Sequence, residues 1–481
     1  MILEKLPLFV LAAALSACVS MPRSDAVAVS ASQLPAAWHA SAGYADEGAD
    51  LAAWWNGFAD PQLRALIDRA LAQNFDLKAA VERSRQAQAL ITVTRASLYP
   101  DLSVTGSASR QKSHVPPPAG MASDAGVGLG GTWSVDVFGG NQLAALAASA
   151  RAAATDEARR DFEVSLSAGV ATTYMELRGL QRQLEIVERN IAARADTLHL
   201  TQVRYQAGLA TDLDVARAET QLRQIQASLP DVRRRIDNDL GLLAILTGDP
   251  PESFDQALAA TAALPLESPT LPKQAPAALL ERRPDLREAA RNIDAASAGL
   301  GSAKADLLPK FTLSFGDSID HRGLPGVTDN LFNLGAGVFW PLFNAGRIHA
   351  NITSQNAGLR QAEYAFDQAL LNALQDVESA YTDVRAQRAR SARLALAVDS
   401  AQRSSLLAQD LYDAGRADFL SVLDAHTQVF DTERDLAQAQ TDAAVSAVSL
   451  YRALGGGWRP SSDEATTTSR ATSNSSARNI P

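Results

Sequence analysis

Apolar and small polar residues alternate through residues 127–138. Val127, Leu129, Trp133, Val135 and Val137 take odd positions, and Gly128, Gly130, Thr132, Ser134 and Asp136 take even ones. Such alternation reads as a β-strand with one greasy face and one small, polar face. A run of about ten residues suits a tilted membrane-spanning strand whose polar face lines water, and a half-buried strand of a soluble sheet gives the same pattern. Three further stretches repeat it. Leu102, Val104 and Ala108 alternate with Ser103, Thr105, Ser107 and Ser109, and Phe311, Leu313, Phe315 and Ile319 with Thr312, Ser314, Gly316 and Ser318. In the last, Leu334, Ala336, Val338, Trp340 and Leu342 alternate with Asn333, Gly335, Gly337 and Pro341. The strands are expected at about 101–110, 126–138, 310–319 and 333–343, with the proline-rich stretch 114–125 as a loop.

Elsewhere the period is helical. Asp60-Pro61 is an N-cap followed by a helix-starting proline, and one helix is expected over 61–98, stopped by Pro100. Residues 141–206 contain no proline and would make a helix about 100 Å long at 1.5 Å per residue. Val170, Leu177, Leu180, Leu184, Val187, Ile191 and Leu198 step by three and four along it, with Thr173 and Arg194 in the two missing places. This is a coiled-coil seam. After a turn at Gly208 the seam returns through Val215, Ala218, Leu222, Ile225, Leu229, Val232, Ile236, Leu243 and Leu246, predicting an antiparallel hairpin with a kink at Pro230.

The chain then repeats itself. Asp76-Leu77, Ala96 and Pro100 recur 209 residues on as Asp285-Leu286, Ala305 and Pro309. Tyr174, Arg178, Tyr205, Gly208, Leu213, Val215, Thr220 and Gln221 recur 207 residues on as Tyr381, Arg385, Tyr412, Gly415, Leu420, Val422, Thr427 and Gln428. The organisation read from this is a signal peptide at 1–17, a tether at 18–53 and a first repeat at 54–248 with its turn at about 205–215. A proline-rich linker at 249–276, a second repeat at 277–457 with its turn at about 412–424, and a disordered tail at 458–481 complete it.

Composition narrows the function. The chain of 481 residues carries a formal charge of −10, which argues against nucleic acid as a partner, since phosphate binding needs a basic face. Beyond the N-terminus no run of eighteen apolar residues occurs, so any membrane crossing must use strands. Leu15-Ser16-Ala17-Cys18 follows a short apolar core and resembles a bacterial lipobox, in which Cys18 is lipidated and becomes the first mature residue. Cys18 is the only cysteine, so there is no intrachain disulfide. The histidines, His39, His114, His199, His321, His349 and His426, have no metal-ligand spacing, and the glycine run 126–131 lacks the lysine of a phosphate loop. No nucleophile elbow is present, and the expectation is a protein that is not an enzyme and holds no cofactor or metal.

Four strands cannot close a membrane barrel, so strands that cross a membrane require several copies; eight, twelve or sixteen strands follow from a dimer, trimer or tetramer. The expected class is mixed, a membrane β-barrel continued by a long α-helical coiled-coil barrel. Trp54-Trp55 with Phe58-x-Asp60-Pro61, then Leu279-Leu280-x-Arg282-Arg283-Pro284-Asp285 and the turns Tyr205-x-x-Gly208-Leu209 and Tyr412-x-Ala414-Gly415-x-x-Asp418-Phe419-Leu420-x-Val422-Leu423-Asp424 carry a resemblance. The chain resembles lipoprotein members of the TolC-type outer-membrane factor family, the NodT branch, from Trp54 to Gly455.

That resemblance implies a homotrimer with a twelve-stranded barrel and a periplasmic helical tunnel. It further implies a lipid anchor in the outer membrane, docking to a periplasmic adaptor and an inner-membrane pump of the RND type. The function implied is passive exit of small toxic compounds. A duct for type I protein secretion and a coiled-coil surface lipoprotein that forms no channel are the alternatives. Asp212, Asp214, Asp418 and Asp424 are gate candidates with helix capping as the rival role, and family members with two gate aspartates on the second hairpin have one where this chain has Ser421. Tyr205, Gly208, Leu209, Tyr412 and Gly415 are adaptor-docking candidates, with packing of the last helical turn as the rival role of the tyrosines.

Overall fold

The computed structural model describes residues 34–35, 37–39, 51–113, 120–254, 258, 262–265, 275–322 and 328–459. Cys18, the signal peptide and the tail after residue 459 lie outside them. The helices are α1 (Pro61–Gln73), α2 (Phe75–Ala96), α3 (Gly140–Gln206), α4 (Asp212–Thr247), α5 (Leu279–Arg282), α6 (Pro284–Ala305), α7 (Arg347–Asp413) and α8 (Phe419–Ala453). The strands are β1 (Asp101–Ser113), β2 (Gly120–Val135), β3 (Lys310–Arg322) and β4 (Thr328–Phe339). The duplication is literal in the backbone: α3 and α7 are each 67 residues long, and β1 and β3 are each 13. Each α3 boundary recurs 207 residues later in α7.

Among the described residues two compact units form, one from 81–158 and 285–369, the other from 34–80, 159–284 and the chain from 370 onward. The first holds one four-stranded antiparallel sheet in the order β1-β2-β3-β4, leaving β1 and β4 as edges within the chain. Three strand expectations are corrected by it. The ladder pairs Ser113 with Gly120, so residues 120–125, expected in the loop, are strand. β2 ends at Val135 rather than 138, because Asp136 turns its carboxylate to accept the Gln142 N–H at 2.8 Å and Gly139 takes φ +75° ahead of α3. β4 runs over 328–339, earlier than expected, and past it the Leu342 N–H donates to the Trp340 carbonyl at 3.0 Å, turning the chain out of the strand. Both strand pairs are pinned the same way: Trp133 Nε1 donates to the Leu98 carbonyl at 3.0 Å and Trp340 Nε1 to that of Leu307 at 3.1 Å.

In the second unit the single helix expected over 61–98 is broken at Asn74. Its ψ of 130° leaves the helix, and its Oδ1 accepts the Leu77 N–H at 2.9 Å to cap α2. Asp60 caps α1 as read, accepting from Gln62 and Leu63. Its other oxygen receives the Tyr174 hydroxyl at 2.7 Å, and burial, with Asp60 beside it, pushes that phenol up to about 12. α4 is continuous across Pro230.

The motifs that carry the resemblance, with the residues around them, prove to be packing devices. Trp54, 2% exposed, stacks on Tyr451 at 5.3 Å between ring centroids. Gly457 donates to the Leu51 carbonyl at 2.8 Å. Arg283 reaches both the Ala453 carbonyl, at 3.1 Å, and Asp376, at 3.2 Å, closing the end of α8 onto α7. Within the stretch read as a tether, Trp38 is buried against Tyr381 on α7, and the His39 N–H donates to Glu378 at 2.7 Å.

Candidate functional site

Two places can serve a passage, the polar face of the sheet and the pair of helical turns. On the sheet the register aligns Ser103, Gly130, Gly316 and Asn333 in one row across the four strands, and Thr105, Gly128, Ser318 and Leu331 in the next. The opposite face carries Leu102, Gly131, Phe315 and Leu334, then Val104, Leu129, Asp317 and Phe332. Val104, Phe332 and Leu334 are 73%, 72% and 76% exposed. A broad apolar face of this kind needs lipid or another chain over it, whereas the face of glycine and hydroxyl suits water. Among the described residues no helix is long and apolar enough to cross a membrane, a test that says nothing of strands.

One apolar-face glycine has a definite reason. A Cβ on Gly131 would stand 2.3 Å from Phe315 Cε1 and 2.8 Å from Leu102 Cδ2, so the phenyl ring lies over bare backbone there. The polar face uses its glycines likewise, with the Asp320 side chain across Gly126.

The turns are built twice on one plan. Gly208 and Gly415 take φ of +73° and +68°, a left-handed conformation that glycine adopts without strain. Gly208 N–H donates to the Tyr205 carbonyl and Gly415 N–H to that of Tyr412, each at 2.9 Å. Past the first turn, Thr211 and Asp214 form a reciprocal capping box that starts α4. Past the second, Asp418 caps α8, accepting the Ser421 N–H at 2.9 Å and its hydroxyl at 2.5 Å. Those bonds hold the Asp418 carboxyl below the usual carboxylate range. Asp214 and Asp418 thus have structural work as caps, whereas Asp212 and Asp424 are exposed acids.

The docking candidates also divide. Leu209 is 71% and Tyr205 47% exposed, both open to a partner. Tyr412 is half-buried, packed against Phe419 with ring centroids 5.6 Å apart. Arg204, which sequence patterning did not single out, lies over that ring at 4.5 Å from its centroid and stands 3.7 Å from Asp413. Only its place in the last turn of α3 hinted at a role. Cys18 falls outside the described residues. Among those described, no cluster of three or more His, Cys, Asp or Glu side chains could hold a metal.

Behind the turns, the seams pack as their periodicity implies. Ile186 and Val187 of α3, Leu222 and Ile225 of α4, and Phe430 and Ala437 of α8 form one buried cluster. Ala218, Phe419 and Leu423 form another nearer the turns. The first cluster joins α3 and α4 with α8, and Leu198 of α3 and Tyr412 of α7 pack on the second, so the hairpins share a core rather than standing as isolated pairs.

Comparison with known proteins follows the same plan. The model of the family described as outer membrane efflux protein matches residues 66–249 and 275–456. The pyoverdine export outer membrane protein OpmQ of Pseudomonas aeruginosa is 31% identical over 458 residues, covering 92% of this chain and 95% of OpmQ. Nodulation protein T of Rhizobium leguminosarum bv. trifolii is 29% identical over 419 residues, covering 85% of this chain and 88% of that protein. The solved outer-membrane channel OprN superimposes with a TM-score of 0.84 at 28% identity, covering 92% of this chain and all of that one. The four-stranded sheet, the paired long helices and these likenesses agree: the chain belongs to the outer membrane efflux protein family and is an outer-membrane efflux channel.

Proposed function

We propose that three copies of this chain close one twelve-stranded barrel and serve as the exit duct of a tripartite pump. The duct takes small toxic compounds from an inner-membrane pump of the RND type through a periplasmic adaptor. The observation that carries this reading is the sheet itself, four strands with two unpaired edges and an apolar face exposed to the surroundings. Unpaired backbone groups facing lipid cost several kcal/mol each, and a neighbour's β4 beside β1 removes that cost around a closed ring.

In this reading Cys18 carries the lipid that holds each copy in the outer membrane. The turns at Gly208 and Gly415 form the rim that meets the adaptor, with Tyr205 and Leu209 as exposed contacts and Tyr412 as their packed support. Asp212 and Asp424 supply the carboxylates of a narrow mouth, while Asp214 and Asp418 hold the turns in shape. The described polar face, small residues with a few carboxylates, suits a passive wall that leaves selection to the pump.

Detergent-purified protein should run as a heat-modifiable trimer and conduct ions across a planar bilayer. A monomer without conductance would overturn the proposal. Cys18→Ala should abolish palmitate labelling, and a cysteine in place of Leu209 should crosslink to an adaptor in cells. A deletion strain is expected to become several-fold more susceptible to hydrophobic drugs.

A further inference from the structure

Arg194 occupies a seam position of α3 where an aliphatic side chain would continue the apolar step. It is 6% exposed. Nε donates to Asn190 Oδ1 at 2.7 Å, Nη1 to Gln221 Oε1 at 2.5 Å and Nη2 to Thr427 Oγ1 at 3.2 Å. Asn190 lies on its own helix and Gln221 on α4 of the same hairpin, but Thr427 belongs to α8 of the second hairpin. All three acceptors are neutral. Burial pushes the guanidinium below its usual range, opposed by the charge of Asp431, so this is an expensive residue to place here.

Its surroundings indicate what that expense achieves. The polar layer lies between the apolar cluster around Phe430 and the one around Phe419 and Leu423, which only Leu198, packed against both, bridges among the described residues. Apolar layers alone tolerate sliding and rotation of one helix on another; a single buried polar contact fixes register. Beside Arg194 lies a groove of about 260 Å³ bordered by Gln224, Ser228 and Arg434, so this polar layer sits at the edge of an open cleft rather than deep in apolar packing. His426, next to Thr427, is kept below the usual imidazole range by burial and by the Arg194 charge.

The internal repeat shows that this contact is not inherited symmetry. The counterparts of Thr427 and Gln221 are Thr220 and Gln428, so hydroxyl and amide are present in both halves. The counterpart of Arg194, 207 residues on, is Ala401. The donor exists in the first hairpin alone. It stands fourteen residues before Gly208, about 21 Å along the helix, well clear of the turn and its aspartates.

We propose that Arg194 is a positioning residue for conduction: by holding Thr427 it pins α8 of the second hairpin to the first and sets the width of the resting mouth. The proposal rests on the reading of the chain as a duct. Any displacement of the second hairpin away from the first must give up the bond to Thr427, while those to Asn190 and Gln221 stay within the first hairpin.

The test compares resting single-channel conductance of purified assemblies in planar bilayers. Arg194→Met and Thr427→Val should each raise it at least threefold, and the double variant no further than either single one, with the thermal midpoint of helical ellipticity unchanged within a few degrees. Arg233→Gln removes a contact inside the first hairpin, the 3.1 Å pair with Glu188, and should leave conductance as it was. Wild-type conductance in Thr427→Val, or additive effects in the double variant, would overturn the proposal. Should Arg194→Met fail to assemble, Thr427→Val alone decides. Absence of any conductance in the unaltered protein would instead sink the channel reading, a result separable from these.

Discussion

Arg204, at the end of α3, lays its guanidinium over the Tyr412 ring at the end of α7, 4.5 Å from the ring centroid, and so ties the turn of one hairpin to the turn of the other. The pairing with Asp413 at 3.7 Å adds little in a partly solvated setting. Together the contacts contribute about 1 kcal/mol, enough to slow local opening roughly fivefold. Arg204→Ala should therefore speed amide exchange over residues 410–418 by about that factor while the helical melt stays put. Unchanged exchange would show that the ring contact carries no weight.

Asp424 is exposed and caps nothing, unlike Asp418. Asp424→Lys is expected to change resting conductance and ion preference with no loss of helix. Asp418→Ala is expected to loosen the first turn of α8, seen as faster proteolysis there. Because bonds from Ser421 lower the Asp418 carboxyl, the cap is fully formed above the ordinary carboxylate range and is lost only as pH falls through the lowered value. Equal effects of both substitutions on conductance would remove the distinction between gate and cap.

Asp239 on α4 has one carboxylate oxygen sealed from water without a hydrogen-bond partner. Burial, then the charge of Glu176, pushes its pKa up to about 6, against the pull of Arg235. The folded state thus holds a proton that the unfolded chain has already released, and stability falls as pH rises from about 4 to about 6. Asp239→Asn should raise stability at pH 7.5 by roughly 1–2 kcal/mol per copy, discounted for partial exposure, and should flatten that dependence. Thermal midpoints at pH 4.5 and 7.5 measure it. A variant no more stable than the wild type at pH 7.5 would contradict the assignment.

Gly131 and Gly130 are neighbours with opposite tolerances. Any Cβ on Gly131 meets Phe315 and Leu102, while one on Gly130 finds nothing nearer than the Phe315 carbonyl oxygen at 3.8 Å. Gly131→Val should impair barrel assembly, read as loss of the heat-modifiable band, and Gly130→Ala should assemble normally. Normal assembly of both would mean that the phenyl ring shifts freely.

Much of this fold is legible from period alone. Alternation located all four strands, and spacing by three and four located seams whose members Val170, Leu177, Val187, Leu222, Ile225 and Val232 are buried. The break at Asn74 escaped because asparagine fits a helical pattern until its side chain is seen capping the next helix. Residues 120–125 escaped because Gly120, Ala122, Ser123 and Asp124 carry no apolar alternation; they are strand only because Lys112 and its neighbours lie opposite. At the turns, the glycines and caps were readable from local chemistry. The contacts of Arg204 and Arg194 with the second hairpin were not, since they join positions more than two hundred residues apart.

The sheet's polar face, small hydroxyls and bare backbone with the carboxylates of Asp101, Asp124, Asp320 and Asp329 among them, has a consequence for traffic. Such a lining offers brief, interchangeable hydrogen bonds to neutral solutes and a diffuse attraction to cations, so residence on it is short for a neutral solute that fits. For neutral cargo a duct of that kind is hard to saturate, and flux through it scales with delivery from below.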